Sequence, residues 1–155
     1  MFTIHVVSHT HWDREWYKTF QDFRYQLVQL LDEVLDGLED GRLRGPFQTD
    51  GQAIILEDYL EVRPERREQV ERFAREGKLV IGPWYALPDE FLVSGESLIR
   101  NIQLGRQMAR ALGGVPSDAG FCCDLFGHNS QLPQIMAGFG IRGGFIWRGL
   151  NTIDT

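Results

Sequence analysis

The chain of 155 residues alternates between two arrangements of apolar and polar positions. Short β-branched or apolar runs are typical of buried parallel strands, and longer segments with apolar residues at every third or fourth position are typical of amphipathic helices. The clearest helical segment is 22–40, in which the stripe of Leu27, Leu31 and Leu38 ends at Gly41. The alternation predicts an α/β fold with a parallel sheet. The predicted strands are 3–8, 46–49, 78–82, 119–123 and 144–147, and the predicted helices are 22–40, 54–62, 64–77, 97–112 and 132–139.

Composition narrows the class of protein. A hydrophobic content of 43% excludes intrinsic disorder, and no stretch approaches the roughly 20 apolar residues of a membrane-spanning helix. The formal net charge of −6 argues against non-specific binding of nucleic acid, which needs a basic surface. The adjacent cysteines Cys122 and Cys123 cannot pair with each other without strain, so we expect reduced thiols. Because no signal peptide is recognisable, these features predict one cytoplasmic domain.

Polar and aromatic residues concentrate where the predicted strands end. Ligands bind at the carboxyl ends of strands in parallel sheets and barrels, so we expect these clusters to converge on one pocket. The alternative is that strand ends are loops and loops are polar. The clusters are 9–16, 50–52, 84–90, 124–128 and Arg148.

Residues 9–13 (HTHWD) form a compact set of metal ligands. Imidazole and carboxylate together suit Zn²⁺, and alternate residues at a strand end point the same way, so His9, His11 and Asp13 could share a face. The alternative is a histidine-rich loop whose rings are hydrogen-bonded within the protein.

Asp124 is the second candidate, because it follows the apolar run 120–123 at the mouth of a predicted strand. A carboxylate in that position needs a metal or an arginine as partner, and Arg148 at the end of the next strand is one option. A helix N-cap is the alternative, although Asn129 or Ser130 caps the following helix more naturally. His128 is either a ligand or a hydrogen-bond partner of the site, and we favour the second.

Aromatic residues occur at the same strand ends. Sugar rings stack on aromatic faces, and the alternative is ordinary core packing. Trp16 and Phe126 are the better candidates because they flank the acidic residues in sequence, whereas Trp12, Trp84 and Tyr85 are weaker ones. Segments 50–52 and 88–90 either line the pocket or form a turn and a solvated loop.

Residues 9–17 (HTHWDREWY) and 124–128 (DLFGH) together resemble glycoside hydrolase family 38, the retaining zinc-dependent α-mannosidases. The first motif is similar to the bacterial branch, which includes mannosylglycerate hydrolases, and segments 50–52 and 88–90 also resemble the family. The resemblance covers residues 3–148. It implies a parallel-stranded β/α part-barrel, related to the seven-stranded barrel of the family's amino-terminal domain.

The resemblance also implies roles for individual residues. It implies that His11, Asp13 and Asp124 are zinc ligands and that Asp124 is the catalytic nucleophile. Trp16 and Phe126 resemble residues that pack around the mannose ring, and Arg148 resembles an arginine near the nucleophile. His9 is then structural, or orients the ligand histidine, instead of binding zinc itself, and His128 remains a hydrogen-bond partner.

The family's fourth zinc ligand and its acid/base aspartate lie beyond the matched region. We therefore expect residues 1–155 to be the amino-terminal segment of a catalytic domain, truncated at its C-terminal end. Alone, the segment is expected to bind zinc weakly or not at all and to leave mannose-containing glycans or small mannosides unhydrolysed. An exposed apolar edge on the last strand and some self-association are expected as well. Two alternatives are a metal-dependent, deacetylase-like hydrolase of a carbohydrate and a non-catalytic carbohydrate-binding remnant.

Overall fold

The computed structural model describes residues 2–150, which fold into helices and parallel strands. The strands are β1 (Ser8–His9), β2 (Phe47–Gln48), β3 (Leu79–Val80), β4 (Ala119–Cys122) and β5 (Gly143–Ile146). The helices are α1 (Phe20–Glu39), α2 (Ile54–Val62), α3 (Arg67–Arg75), α4 (Gly95–Ala111) and α5 (Leu132–Gly138), and a 3₁₀ turn (Pro64–Arg66) precedes α3. The predicted α/β class is confirmed.

The described strands form two parallel sheets. One has three strands in the order β1-β2-β3, and the other pairs β4 with β5. A parallel bridge between Gln52 and Trp84 extends the first sheet beyond β2 and β3. The Trp84 indole N–H donates to the carbonyl of Phe121 at 2.8 Å, which ties the chain after β3 to β4. The strand count of a closed barrel stays a prediction.

Helix α1 shows how closely the sequence pattern fits the structure. It begins at Phe20, two residues before the predicted start, because Thr19 and Asp22 form a capping box. Its apolar stripe is buried, with Leu27 fully inaccessible to solvent and Leu31 almost so. Burial of each such leucine contributes about 2 kcal/mol, and the stripe packs against α2 and the first sheet.

The predicted strand 3–8 is wrong for most of its length. Residues 2–7 are exposed, and β1 pairs with β2 only at Ser8 and His9. The β-branched run instead borders an apolar cavity of about 390 Å³ that also reaches Phe145 of β5. A buried parallel strand needs other elements packed against both of its faces, and the exposed side chains of residues 2–7 do not have this packing. The predicted exposure of the last strand is confirmed, because every residue of β5 is exposed.

The two cysteines are free thiols, as predicted. Cys122 is buried in β4, and burial raises its pKa to about 12, whereas Cys123 is half-buried just after the strand. Within residues 2–150, no helix combines the length and apolarity that crossing a bilayer requires.

Candidate functional site

Side chains from the ends of four strands meet at one edge of the fold. His11 and Asp13 follow β1, Asp50 follows β2, Asp124 follows β4 and Arg148 follows β5. Each strand ends in a loop at the same edge because the strands are parallel, so these loops bring distant residues together. The structure thus joins the predicted zinc ligands with Arg148 and with Asp50, whose position relative to the pocket the sequence left open.

The His11 ring lies at the centre of the group. Its Nε2 atom is 3.0 Å from Oδ2 of Asp124 and 3.7 Å from Oδ1 of Asp13, and its Nδ1 atom is 3.1 Å from Oδ2 of Asp50. One ligand atom from each of His11, Asp13 and Asp124 lies within 4.8 Å of the other two. One imidazole nitrogen and two carboxylate oxygens are a donor set that fits Zn²⁺.

Asp50 fixes the orientation of the His11 ring. Its side chain is fully buried and accepts hydrogen bonds from the Trp12 backbone N–H at 2.7 Å and from the Gln52 amide at 2.9 Å. The carboxylate faces Nδ1, so Nε2 is directed toward Asp13 and Asp124. Metal-binding histidines commonly have a carboxylate partner of this kind, which sets the tautomer and the ring plane.

The backbone at Asp50 and Gly51 explains why a turn sequence builds part of the site. Asp50 has a φ of 54° and Gly51 a φ of 69°, both in the left-handed region that aspartate tolerates and glycine favours. A Cβ atom on Gly51 would lie 2.7 Å from Cβ of Phe121 in β4. An Asp-Gly pair in the sequence favours a turn with such φ angles. The contact between Asp50 and His11 joins residues 39 positions apart, so local spacing could not predict it.

The sequence predicts one shared face for His9, His11 and Asp13, but the group of candidate ligand atoms consists of His11, Asp13 and Asp124 and does not include His9. The Nδ1 atom of His9 is 3.0 Å from the carbonyl oxygen of Thr10, and its ring packs edge-on against Phe121 at 5.9 Å between centroids. The contact that orients His11 comes from Asp50, so the structure corrects this part of the expectation. A structural role for His9 stays a prediction.

The surrounding carboxylates raise the pKa of His11 to about 9. The hydrogen bond to Asp50 is the largest cause, burial opposes it, and the charges of Asp50, Asp13 and Asp124 add to it. Near neutral pH the metal-free ring is therefore an imidazolium, and a metal ion that binds Nε2 must displace a proton.

Asp124 is less completely paired than Asp50. The Nε atom of Arg148 is 2.9 Å from Oδ1 of Asp124, yet its N–H is not directed at this buried oxygen, which has no aligned hydrogen bond among the described residues. The side chain of Asp124 keeps 22% of its surface exposed. An ion pair without an aligned hydrogen bond leaves lone pairs available for a metal or a substrate.

The predicted sugar-binding aromatics are both exposed. Phe126 is 66% exposed and lies under the Arg148 guanidinium, at 5.7 Å from its ring centroid. Trp16 is 75% exposed and packs edge-on against Tyr17 on the loop before α1. Trp84 is fully buried, and Trp12 and Tyr85 pack against the core, so the core-packing alternative is correct for these three.

Arg14, which was not among the predicted site residues, anchors the histidine-containing loop. Its guanidinium makes a two-point contact with Asp58 of α2, at 2.7 and 2.8 Å, and lies over the ring of Phe20. The Asp58 hydrogen bond is the main reason that the pKa of Arg14 is raised. The loop that carries His11 and Asp13 is thereby attached to a core helix.

His128 and Glu90 form a second pair beside the site. Nδ1 of His128 is 2.8 Å from a Glu90 oxygen, and Nε2 is 2.8 Å from the carbonyl oxygen of Arg148. Both ring nitrogens are engaged by protein atoms, as expected of a hydrogen-bond partner. Glu90 is fully buried, so segment 88–90 is not simply a solvated loop.

Comparison with known proteins shows which family the sequence of this chain matches. The sequence profile described as "Glycosyl hydrolases family 38 N-terminal domain" matches residues 1–151. A "Putative mannosylglycerate hydrolase" of Halalkalibacterium halodurans is 43% identical over 148 residues, which are 96% of this chain and 16% of that protein. Human "Alpha-mannosidase 2C1" is 30% identical over 143 residues, or 90% of this chain and 13% of that protein.

A solved structure of similar fold points to the same family as the sequence matches. The crystal structure of an α-mannosidase from Enterococcus faecalis V583 superposes with a TM-score of 0.89 at 43% identity, over 94% of this chain and 16% of that chain. The chain thus spans about one sixth of the length of its closely matching bacterial relatives.

Proposed function

The chain belongs to family 38 of the glycosyl hydrolases, whose N-terminal domain it matches, and we propose that it supplies the metal-binding and nucleophilic part of a retaining α-mannosidase site. The observation that carries the proposal is the meeting of His11, Asp13 and Asp124 beside Arg148. Mannoside substrates are inferred from the mannosidase relatives, and the relative named a putative mannosylglycerate hydrolase adds mannosylglycerate as a candidate.

The donor set and its surroundings support zinc as the cofactor. His11 through Nε2, Asp13 and Asp124 would hold the ion, and Asp50 would keep the His11 ring in the binding tautomer. When bound, the ion supplies a Lewis acid that can hold sugar hydroxyls and keep a neighbouring carboxylate ionised. A fourth ligand is expected from a later segment, because the relatives are about six times as long.

Asp124 is proposed as the nucleophile. Its carboxylate would attack the anomeric carbon as the bond to the aglycone oxygen breaks, and that oxygen would take a proton from a second carboxyl group. Water, deprotonated by the same group, would then cleave the mannosyl ester and release mannose with its configuration retained. In retaining enzymes the second carboxyl lies roughly 5–5.5 Å from the first. We expect that group from a later segment, so that residues 1–155 alone are inactive.

Arg148 and Phe126 would act on the nucleophile and the sugar. The Arg148 guanidinium, at 2.9 Å from Asp124, favours the ionised carboxylate that attacks. The exposed face of Phe126 offers a surface for the apolar side of the sugar ring, and Trp16 is proposed for the same role.

The experiment uses the full-length protein with an aryl α-mannoside and with α-mannosylglycerate. Turnover should be lost with a chelator and restored by zinc, and proton NMR should detect the α-anomer of mannose first. Asp124→Asn should abolish turnover. Asp118→Asn is the matched control, because Asp118 precedes the same strand and is exposed. Normal turnover by Asp124→Asn, or indifference to zinc removal, would contradict the proposal.

We also propose that the protein acts in the cytoplasm. Support comes from the two free thiols, one of them deeply buried, which suit a reducing compartment. A soluble-fraction assay of the native cells, with compartment markers, tests this point.

A further inference from the structure

We infer that Glu90 and His128 form a clamp whose task is to position Arg148 against Asp124. The inference rests on the proposed function for its catalytic meaning, but the clamp itself is a structural statement. Glu90 follows β3, His128 follows β4 and Arg148 follows β5, so the pair joins three successive loops at the edge where the site lies.

Glu90 is a buried carboxylate with every donor in place. Its side chain is fully inaccessible, one oxygen lies 2.8 Å from Nδ1 of His128, and the other accepts from the Asn129 backbone N–H at 2.9 Å and side-chain amide at 3.1 Å. A buried carboxylate is costly unless it is fully paired, and these three contacts supply that pairing. The proposed chemistry does not use Glu90 directly.

His128 passes this constraint on to Arg148. A carbonyl oxygen only accepts, so Nε2 of His128 must carry a hydrogen and donate it to the carbonyl of Arg148 at 2.8 Å. Nδ1 then faces the Glu90 carboxylate, at 2.8 Å from one of its oxygens. The ring is only 10% exposed, so little water competes for either contact.

The backbone beside Arg148 is shaped for this close approach. Gly149 has a φ of +88°, and a Cβ atom there would lie 2.7 Å from the Gly127 nitrogen and 3.0 Å from Nε2 of His128. A side chain would therefore push the segment away from the ring.

The clamp matters because the arginine side chain is otherwise weakly held. It is 52% exposed, and its contact with Asp124 lacks an aligned hydrogen bond. An exposed ion pair of this kind is worth little by itself, so a fixed backbone must supply the positioning. Glu90 and His128 are positioning residues, and neither touches the reacting atoms in this account.

The test is made in the full-length protein with a double-mutant design. Glu90→Leu removes the acceptors at similar volume, and Glu90→Gln keeps an acceptor for Asn129 and can donate to Nδ1. His128→Phe breaks the other arm independently, should Glu90→Leu fail to fold. Glu96→Leu and Glu96→Gln on α4 are matched controls, because Glu96 is exposed and pairs only with Arg100 among the described residues.

Glu90→Leu and His128→Phe are expected to lower kcat/KM for the aryl α-mannoside roughly 10- to 100-fold. In an Arg148→Ala background the same substitutions should change kcat/KM by less than about twofold, because the residue they position is absent. Glu90→Gln should lose far less than Glu90→Leu. Equal losses in both backgrounds, in step with the fall in Tm, would overturn the inference.

Hydrogen–deuterium exchange gives a readout that does not need turnover. Exchange in peptides covering 145–150 should rise in Glu90→Leu and His128→Phe, stay near wild type in Glu90→Gln, and be unchanged in α1. If the wild-type protein hydrolyses no α-mannoside, the proposed function fails while this exchange pattern still supports the clamp. Unchanged exchange at 145–150 would overturn the clamp whatever the activity.

Discussion

Asp50 and Asp124 both contact the ring of His11, yet their surroundings are opposite. Asp50 is fully buried and accepts from Trp12, Gln52 and His11. Asp124 is partly exposed, and one of its oxygens has no aligned hydrogen bond among the described residues. A carboxylate whose oxygens are fully hydrogen-bonded can only hold its neighbours in place. One with an unpaired oxygen, beside a histidine proposed as a metal ligand, is available to bind and react.

Substitution of Asp124 should affect turnover far more than stability, unlike substitution of Asp50. Asp124→Asn removes the proposed nucleophile and should lower kcat of the full-length protein on the order of 10⁴-fold or more. Because the side chain is nearly isosteric and partly exposed, Tm should change little. Steady-state kinetics and a thermal melt of the same preparation check both points. A melt that falls in parallel with activity would instead make Asp124 a structural residue like Asp50.

The next effect concerns metal affinity. Asp50→Asn weakens the orientation of the His11 ring and places an amide group among donors, so zinc affinity should fall about 10- to 100-fold. The free energy of unfolding should also fall by about 1–3 kcal/mol, since the Nδ1–H group of His11 loses its acceptor, Oδ1 of Asp50. Competition with a chromogenic chelator and denaturant unfolding measure the two losses. Unaltered zinc affinity would remove Asp50 from the site.

A third prediction tests how the loop with His11 and Asp13 is anchored. Arg14→Met leaves the buried Asp58 carboxylate without its two-point partner and should lower the free energy of unfolding by about 1–3 kcal/mol. The loss should be smaller than for a fully buried pair, because the Arg14 side chain is 39% exposed. Arg42→Met is the control, since the Arg42–Asp40 pair is exposed and its loss should leave the unfolding free energy nearly unchanged. Equal losses in the two variants would show that the loop needs no such anchor.

Asp32 is a carboxylate away from the site, and its substitution should change stability by a smaller amount. Burial raises the pKa of Asp32, but hydrogen bonds from Tyr59 and Arg63 outweigh it, so the pKa lies below its ordinary value. The stability from this carboxylate is present above its unfolded pKa of about 3.9 and is lost as the pH falls through the lower folded pKa. Asp32→Asn should therefore lower Tm at pH 7, and the difference should shrink toward pH 3.

Glu33→Gln on the same helix is the control for that titration, because Glu33 is exposed. Its Tm should follow the wild-type protein at both pH values. A constant gap between Asp32→Asn and the wild type from pH 7 to pH 3 would mean that the charge of Asp32 contributes nothing to the difference.

The sequence predicted what depends on local pattern. The stripe of α1 could be identified because residues three and four apart share a helix face. Alternation after the strand end brought His11 together with Asp13, but it wrongly added His9 to the same group. The strand 3–8 was overextended because a β-branched run does not reveal whether a neighbouring strand pairs with it. Asp50 and Glu90 stayed open, since their partners His11 and His128 lie 39 and 38 residues away. Such contacts depend on how the loops meet.

The proposed mechanism requires that Asp124 becomes covalently attached to the sugar, at a site where His11, Asp13 and Asp124 are the proposed metal ligands. The most direct measurement is trapping with a fluorinated α-mannosyl fluoride, which slows hydrolysis of the glycosyl-enzyme, followed by digestion and tandem mass spectrometry. We expect one added fluoromannosyl group, located on Asp124 and absent in Asp124→Asn. An adduct on another carboxylate, or active enzyme that accumulates no adduct, would contradict it.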